Sequence, residues 1–83
     1  MDNKWFITEE WNASDQLEYG RRRSFVCALG LCSVKDINEY KGCMEKYSPF
    51  DYIDTMEYDT KEEYENMLAT LENNGSIVKR SED

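Results

Sequence analysis

Apolar and polar residues along this chain follow two rhythms, one with the period of a strand and one with the period of a helix. Residues 4–11, KWFITEEW, are rich in strand-favouring Trp, Phe, Ile and Thr and run into the loop-forming Asn12-Ala13-Ser14, which predicts a strand. Ser14 and Asp15 are suited to cap a short helix whose first turn, Asp15-Gln16-Leu17-Glu18, carries acids where the helix dipole favours them. Residues 23–31, RSFVCALGL, form the most apolar run. Its length, the Phe25-Val26-Cys27 core and the flanking glycines predict a buried strand. The competing reading is the end of a long helix from near Asp15, since Leu17, Arg21, Phe25, Ala28 and Cys32 stand at helical spacings.

The rhythm then lengthens. In residues 33–47, SVKDINEYKGCMEKY, apolar groups at Val34, Ile37, Tyr40, Met44 and Tyr47 recur every three to four positions, the pattern of an amphipathic helix. Ser33 with Asp36 is a weak capping box, Gly42 costs about 1 kcal/mol relative to Ala, and Pro49 stops the helix. Residues 50–58 alternate again. Phe50, Tyr52, Met56 and Tyr58 share one side with Asp54 as the exception, while Asp51, Ile53, Thr55 and Glu57 share the other, with Asp59 next in register. Thr60-Lys61-Glu62-Glu63 reads as a capping box in which Glu63 reaches back to the Thr60 amide. Tyr64, Met67, Leu68 and Leu71 make a core stripe, and Asn73-Asn74-Gly75 tolerates a left-handed stop. Residues 76–80, SIVKR, read as a short edge strand, and 81–83 as a fraying acidic tail. The expected fold over 1–83 is a single α+β domain. It has about three or four short, mostly antiparallel strands packed on two or three helices.

Composition supports a folded chain: 40% hydrophobic and 13% aromatic residues outweigh what 34% charge would disperse. The net charge of −8 is unevenly placed. Residues 1–48 hold eight acids and seven bases, whereas residues 49–83 hold ten acids and three bases. Such a field repels nucleic acid and anionic membranes and attracts basic partners. Three cysteines, Cys27, Cys32 and Cys43, are too few for a disulfide scaffold or a four-ligand zinc site, and reduced thiols are expected. The start, MDNKWFITEEW, lacks a secretion-signal core, so the sequon Asn12-Ala13-Ser14 is expected to be fortuitous. A soluble cytoplasmic protein is the expectation.

Chemistry is scarce. With no histidine, the commonest general base and metal ligand are missing, and no catalytic, metal or cofactor site is expected. The acidic series fails as a calcium loop: counted from Asp51, Ile53 and Met56 fall where an oxygen ligand and a glycine are needed. Arg21, Arg22 and Arg23 lie beside Tyr19 and Phe25, a minor candidate for single-stranded RNA. Balancing acids such as Asp15 and Glu18 is the simpler role for them, and direct DNA binding is not expected.

The acidic half has two readings: a solvated face, or a surface shaped for a basic partner. Asp51, Glu57, Asp59, Glu62 and Glu65 have no evident folding role in the sequence, and Tyr52 and Tyr58 among them would add aromatic contact area. Same-face strand residues stand about 6.7 Å apart, which lets carboxylates imitate a row of phosphates. By analogy of size and composition alone, small acidic chains of this kind include phage inhibitors of bacterial defence, such as anti-CRISPR and anti-restriction proteins. They act in the host cytoplasm on nucleic-acid-binding proteins. The alternative is a homodimerising adaptor or assembly module working through a β edge or the Trp5, Phe6 and Trp11 surface.

Overall fold

The computed structural model describes residues 3–15 and 23–81. They form β1 (Asn3–Trp11), one 3-10 turn (Ala13–Asp15), β2 (Phe25–Ser33), α1 (Val34–Tyr47), β3 (Tyr52–Tyr58), α2 (Lys61–Asn73) and β4 (Ile77–Arg80). The α+β class holds: one four-stranded mixed sheet of order β3-β1-β2-β4 carries two helices. β1 pairs antiparallel with both β2 and β3, and β4 joins β2 in parallel at the far edge. The run at residues 25–33 is therefore a strand and not the end of a long helix. The helix expected from Asp15 falls largely on residues 16–22, outside the described residues, as do Arg21, Arg22 and the last two residues of the tail. Ser81 is tied by its N–H to the Ala28 carbonyl at 2.9 Å.

The two crossovers run in opposite directions. α1 carries the chain from β2 past β1 to β3, and α2 returns it from β3 past β1 and β2 to β4. Crossovers of one hand then require the helices to lie on opposite faces. Strand alternation agrees. Trp5, Ile7, Val26, Ala28, Met56, Tyr58 and Val78 pack with Tyr64, Met67, Leu68 and Leu71 of α2. On the other face, Tyr40 of α1 lies near Cys27 and Glu10. Phe6 and Ile37 are also buried but stand apart from the α2 cluster. β1 is thus covered from both sides.

Helix ends follow local chemistry. Ser33 Oγ accepts from the Asp36 amide at 3.2 Å and the Ser48 amide closes on the Met44 carbonyl at 2.8 Å. Thr60 Oγ1 accepts from the Glu63 amide at 3.2 Å and donates to Glu63 Oε1 at 3.0 Å. Glu63 therefore bonds the Thr60 hydroxyl instead of its amide, so the box is closed side chain to side chain. α2 ends in a Schellman turn, Ser76 N–H to Leu71 O and Gly75 N–H to Glu72 O, both 3.0 Å.

One irregularity sets the sheet's shape. Between Phe6↔Gly30 and Ile7↔Ala28 the register shifts, leaving Leu29 as an extra residue in β2. Gly30 takes φ +79, a left-handed value that a side chain would oppose. Its N–H donates to the hydroxyl of Tyr64 at 3.1 Å, and Tyr64 is fully buried. Tyr64→Phe leaves that buried N–H without its acceptor and should cost about 1–3 kcal/mol, read as a lower denaturant midpoint at unchanged slope. Gly42, by contrast, is exposed in α1 with open space where a Cβ would stand. Gly42→Ala should raise stability by about 0.5–1 kcal/mol in the same measurement.

Candidate protein-binding surface

β3 is an edge strand, and the chain leaves it through Asp59 and Thr60 into α2. This route assembles the acidic surface. Glu57, Asp59 and Glu62 of the expected site are exposed along it, and so is Asp54, which the sequence pattern sets as an exception on the apolar side of β3. Lys4, at the near end of β1, binds two of them: its Nζ lies 3.3 Å from Asp59 and 3.7 Å from Glu57. Its bond and attraction to Asp59, followed by the charge of Glu57, hold the ammonium above the ordinary lysine range. One cation thus serves two carboxylates, leaving a net negative charge.

The other expected site residues have different settings. Asp51 ties the loop before β3 to the end of β1: its carboxylate accepts from the Ala13 amide and its own amide donates to Asn12 Oδ1, both at 3.0 Å. Glu65 is drawn away from β3. Arg80 of β4, on the opposite edge of the sheet, binds it through both guanidinium nitrogens, and this bonding lowers the Glu65 carboxyl below its ordinary range. Tyr58 is half-buried, its hydroxyl 3.6 Å from Met56 Sδ, and burial followed by the charges of Glu63 and Glu9 pushes the phenol up. Tyr52 stacks on Trp11 with ring centroids 5.4 Å apart and stays half exposed. The expected residues that stay on this edge are Glu57, Asp59 and Glu62; Asp54 adds a carboxylate on the other face of β3, the face it shares with Tyr52. Arg23 pairs with Asp15 at 3.5 Å, the balancing role expected for it.

Sequence reasoning missed the two carboxylates inside the sheet. Glu9 and Glu10 are 9% and 5% exposed, on opposite faces of β1. Glu9 accepts from the buried Ser24 hydroxyl at 2.8 Å, and Ser24 in turn lies 2.8 Å from Ser76 Oγ. Because the Ser24 proton is directed at the carboxylate, Ser76 is the donor of the second bond. The chain linking Glu9, Ser24 and Ser76 joins β1 to the starts of β2 and β4, where Ile77 N–H also bonds Ser24 O at 3.0 Å. Glu10 lies on the α1 face between Phe25 and Ile53. The available signal was two adjacent glutamates inside an otherwise apolar strand: whichever way it faces, one of them points inward.

Comparison of the chain with family models, with curated proteins and with solved structures gives no match. Fold and surface define a small α+β domain with an acidic edge. Among the described residues, no helix is long and apolar enough to cross a membrane, and the three cysteines are free thiols.

Burial raises the Glu10 carboxyl above the ordinary glutamate range. A raised acid binds its proton more tightly in the folded state, so its contribution to stability falls as pH rises from the ordinary range through the raised value. Glu10→Gln should therefore be more stable than the parent at pH 7. The two stability curves should converge at acid pH, as followed by thermal unfolding across pH.

Proposed function

We propose that this protein is a small, non-enzymatic inhibitor that binds a basic, nucleic-acid-binding protein through the β3–α2 edge and competes there with nucleic acid. The observation that carries this reading is the segregation of charge. Ten of the eighteen acids fall in residues 49–83 against three bases, and four of them, Asp54, Glu57, Asp59 and Glu62, follow one another along an exposed strand and helix start. Lys4 supports the reading by holding Glu57 and Asp59 in place, which lowers the side-chain entropy lost when a partner's Arg or Lys approaches. The first turn of α2 follows directly, though its helix dipole attracts these acids and slightly offsets their field. Glu65 and Asp51 stand at the margin because Arg80 and the Asn12 loop already engage them. Host defence nucleases and effector complexes have the grooves of Lys and Arg that such an edge would fill.

The test is capture of partner proteins from host lysate on the immobilised protein, followed by challenge with duplex DNA. Capture should weaken steeply with salt, be displaced by the DNA, and drop by about tenfold or more when Glu57, Asp59 and Glu62 are all changed to Lys. Circular dichroism checks that the variant is folded. Capture indifferent to salt, to DNA and to the triple variant would falsify the reading.

A further inference from the structure

We propose that β3 is a self-pairing edge, through which two copies of the chain join antiparallel about a two-fold axis at Thr55 into one continuous eight-stranded sheet. The inference stands on strand geometry and is independent of the acidic-partner reading. β3 offers a seven-residue edge with no proline and no register shift against β1. The other edge, β4, is four residues long and ends in Lys79 and Arg80, a blunted edge.

The sequence of β3, YIDTMEY, is self-complementary about its centre. Centred on Thr55, Tyr52 of one copy faces Tyr58 of the other, Ile53 faces Glu57 and Asp54 faces Met56, so no like charges stand directly opposite. Centring on Asp54 or Glu57 would instead place each carboxylate against its own copy, which is destabilising. Centring on Ile53 or Met56 shortens the paired length. The axis residue supplies a second observation. Thr55 Oγ1 is buried and has no hydrogen-bond partner within the described residues. Directly opposed strand residues have Cβ atoms about 4.5–5.5 Å apart, within reach of a Thr–Thr hydrogen bond. The second copy thus places a further hydroxyl at this distance from a Thr55 Oγ1 that Thr8, directly across on β1, leaves unbonded.

Charge sets the conditions. Two copies at −8 repel, and Asp54 lies diagonally across the axis from its own copy, so self-pairing should strengthen as salt rises. That is the opposite sign to the partner binding proposed above, which separates failure of one reading from failure of the other. Sedimentation equilibrium at low and high salt is the experiment. The mass should move from 9.9 kDa toward twice that value with concentration, and the midpoint should fall several-fold in high salt. Asp54→Asn should tighten the dimer several-fold at low salt. Thr55→Arg, which sets two cations face to face on the axis, should give a monomer with an unchanged circular dichroism spectrum. Should that variant not fold, the Asp54→Asn shift decides. A monomer under all conditions, or a dimer that neither substitution changes, overturns the proposal.

Discussion

The hydrogen bond from the Gly30 amide to the Tyr64 hydroxyl ties the register break between β1 and β2 to a deeply buried side chain of α2. Leu29 is an extra residue in β2, and accommodating it takes Gly30 out of the regular antiparallel ladder. A buried N–H released in this way needs an acceptor, and none but a side chain reaches it from the α2 layer. Tyr64 meets the need while its ring packs on Trp5 at 5.2 Å, and Leu68, one turn later, fills the space above Ile7 and Val26. α2 is therefore fixed both along its axis and across the sheet. The start of α2 at Lys61 lies just before Tyr64, so the same constraint places Glu62, and Asp59 ahead of the Thr60 cap, beside the end of β3. The packing of the core thus determines the geometry of the acidic edge.

Much of this was legible because local chemistry and global fold agree. α1 and α2 have caps and 3.6-residue periods, β3 has its alternation, and each of these signals is readable within a dozen residues. What could not be read was adjacency. Nothing local says that residues 3–11 form the central strand with a helix on each face, so the sequence does not show that both Glu9 and Glu10 are buried. Once both faces are covered, one glutamate must point into each layer. The ion pairs fail to show for the same reason: Lys4 meets Asp59 across most of the chain's length, and Arg80 meets Glu65 only because β4 returns beneath α2. Asp51, which has no folding role in the sequence, acquires one when the loop before β3 comes to lie against Asn12.

These pairs do little for stability. Exposed ion pairs contribute little, since solvent screens them and ordering two long side chains has an entropic cost. Their effect is positional. Lys4 gathers Glu57 and Asp59 to one point and cancels only part of their charge, whereas Arg80 neutralises Glu65 and removes it from the edge. The surface is thereby narrowed from a diffuse acidic half to a short, directed row. A diffuse field steers a basic partner from a distance; a fixed row gives it a register in which to dock.

The same charges act on the free strand edge. An exposed strand without proline or lysine is a template for indiscriminate pairing, and natural edges are commonly defended by charge. On β3 the carboxylates stand at 54 and 57, one on each face of the strand and unequally placed about its centre. Alignments centred on either one bring like charges together directly, and foreign strands of arbitrary sequence meet both without compensation. In the full-length alignment about Thr55, Met56 and Ile53 lie opposite them, and two unsatisfied hydroxyls meet. Charge on this edge therefore opposes the alignments centred on Asp54 and Glu57, and paired length, not charge, disfavours those centred on Ile53 and Met56.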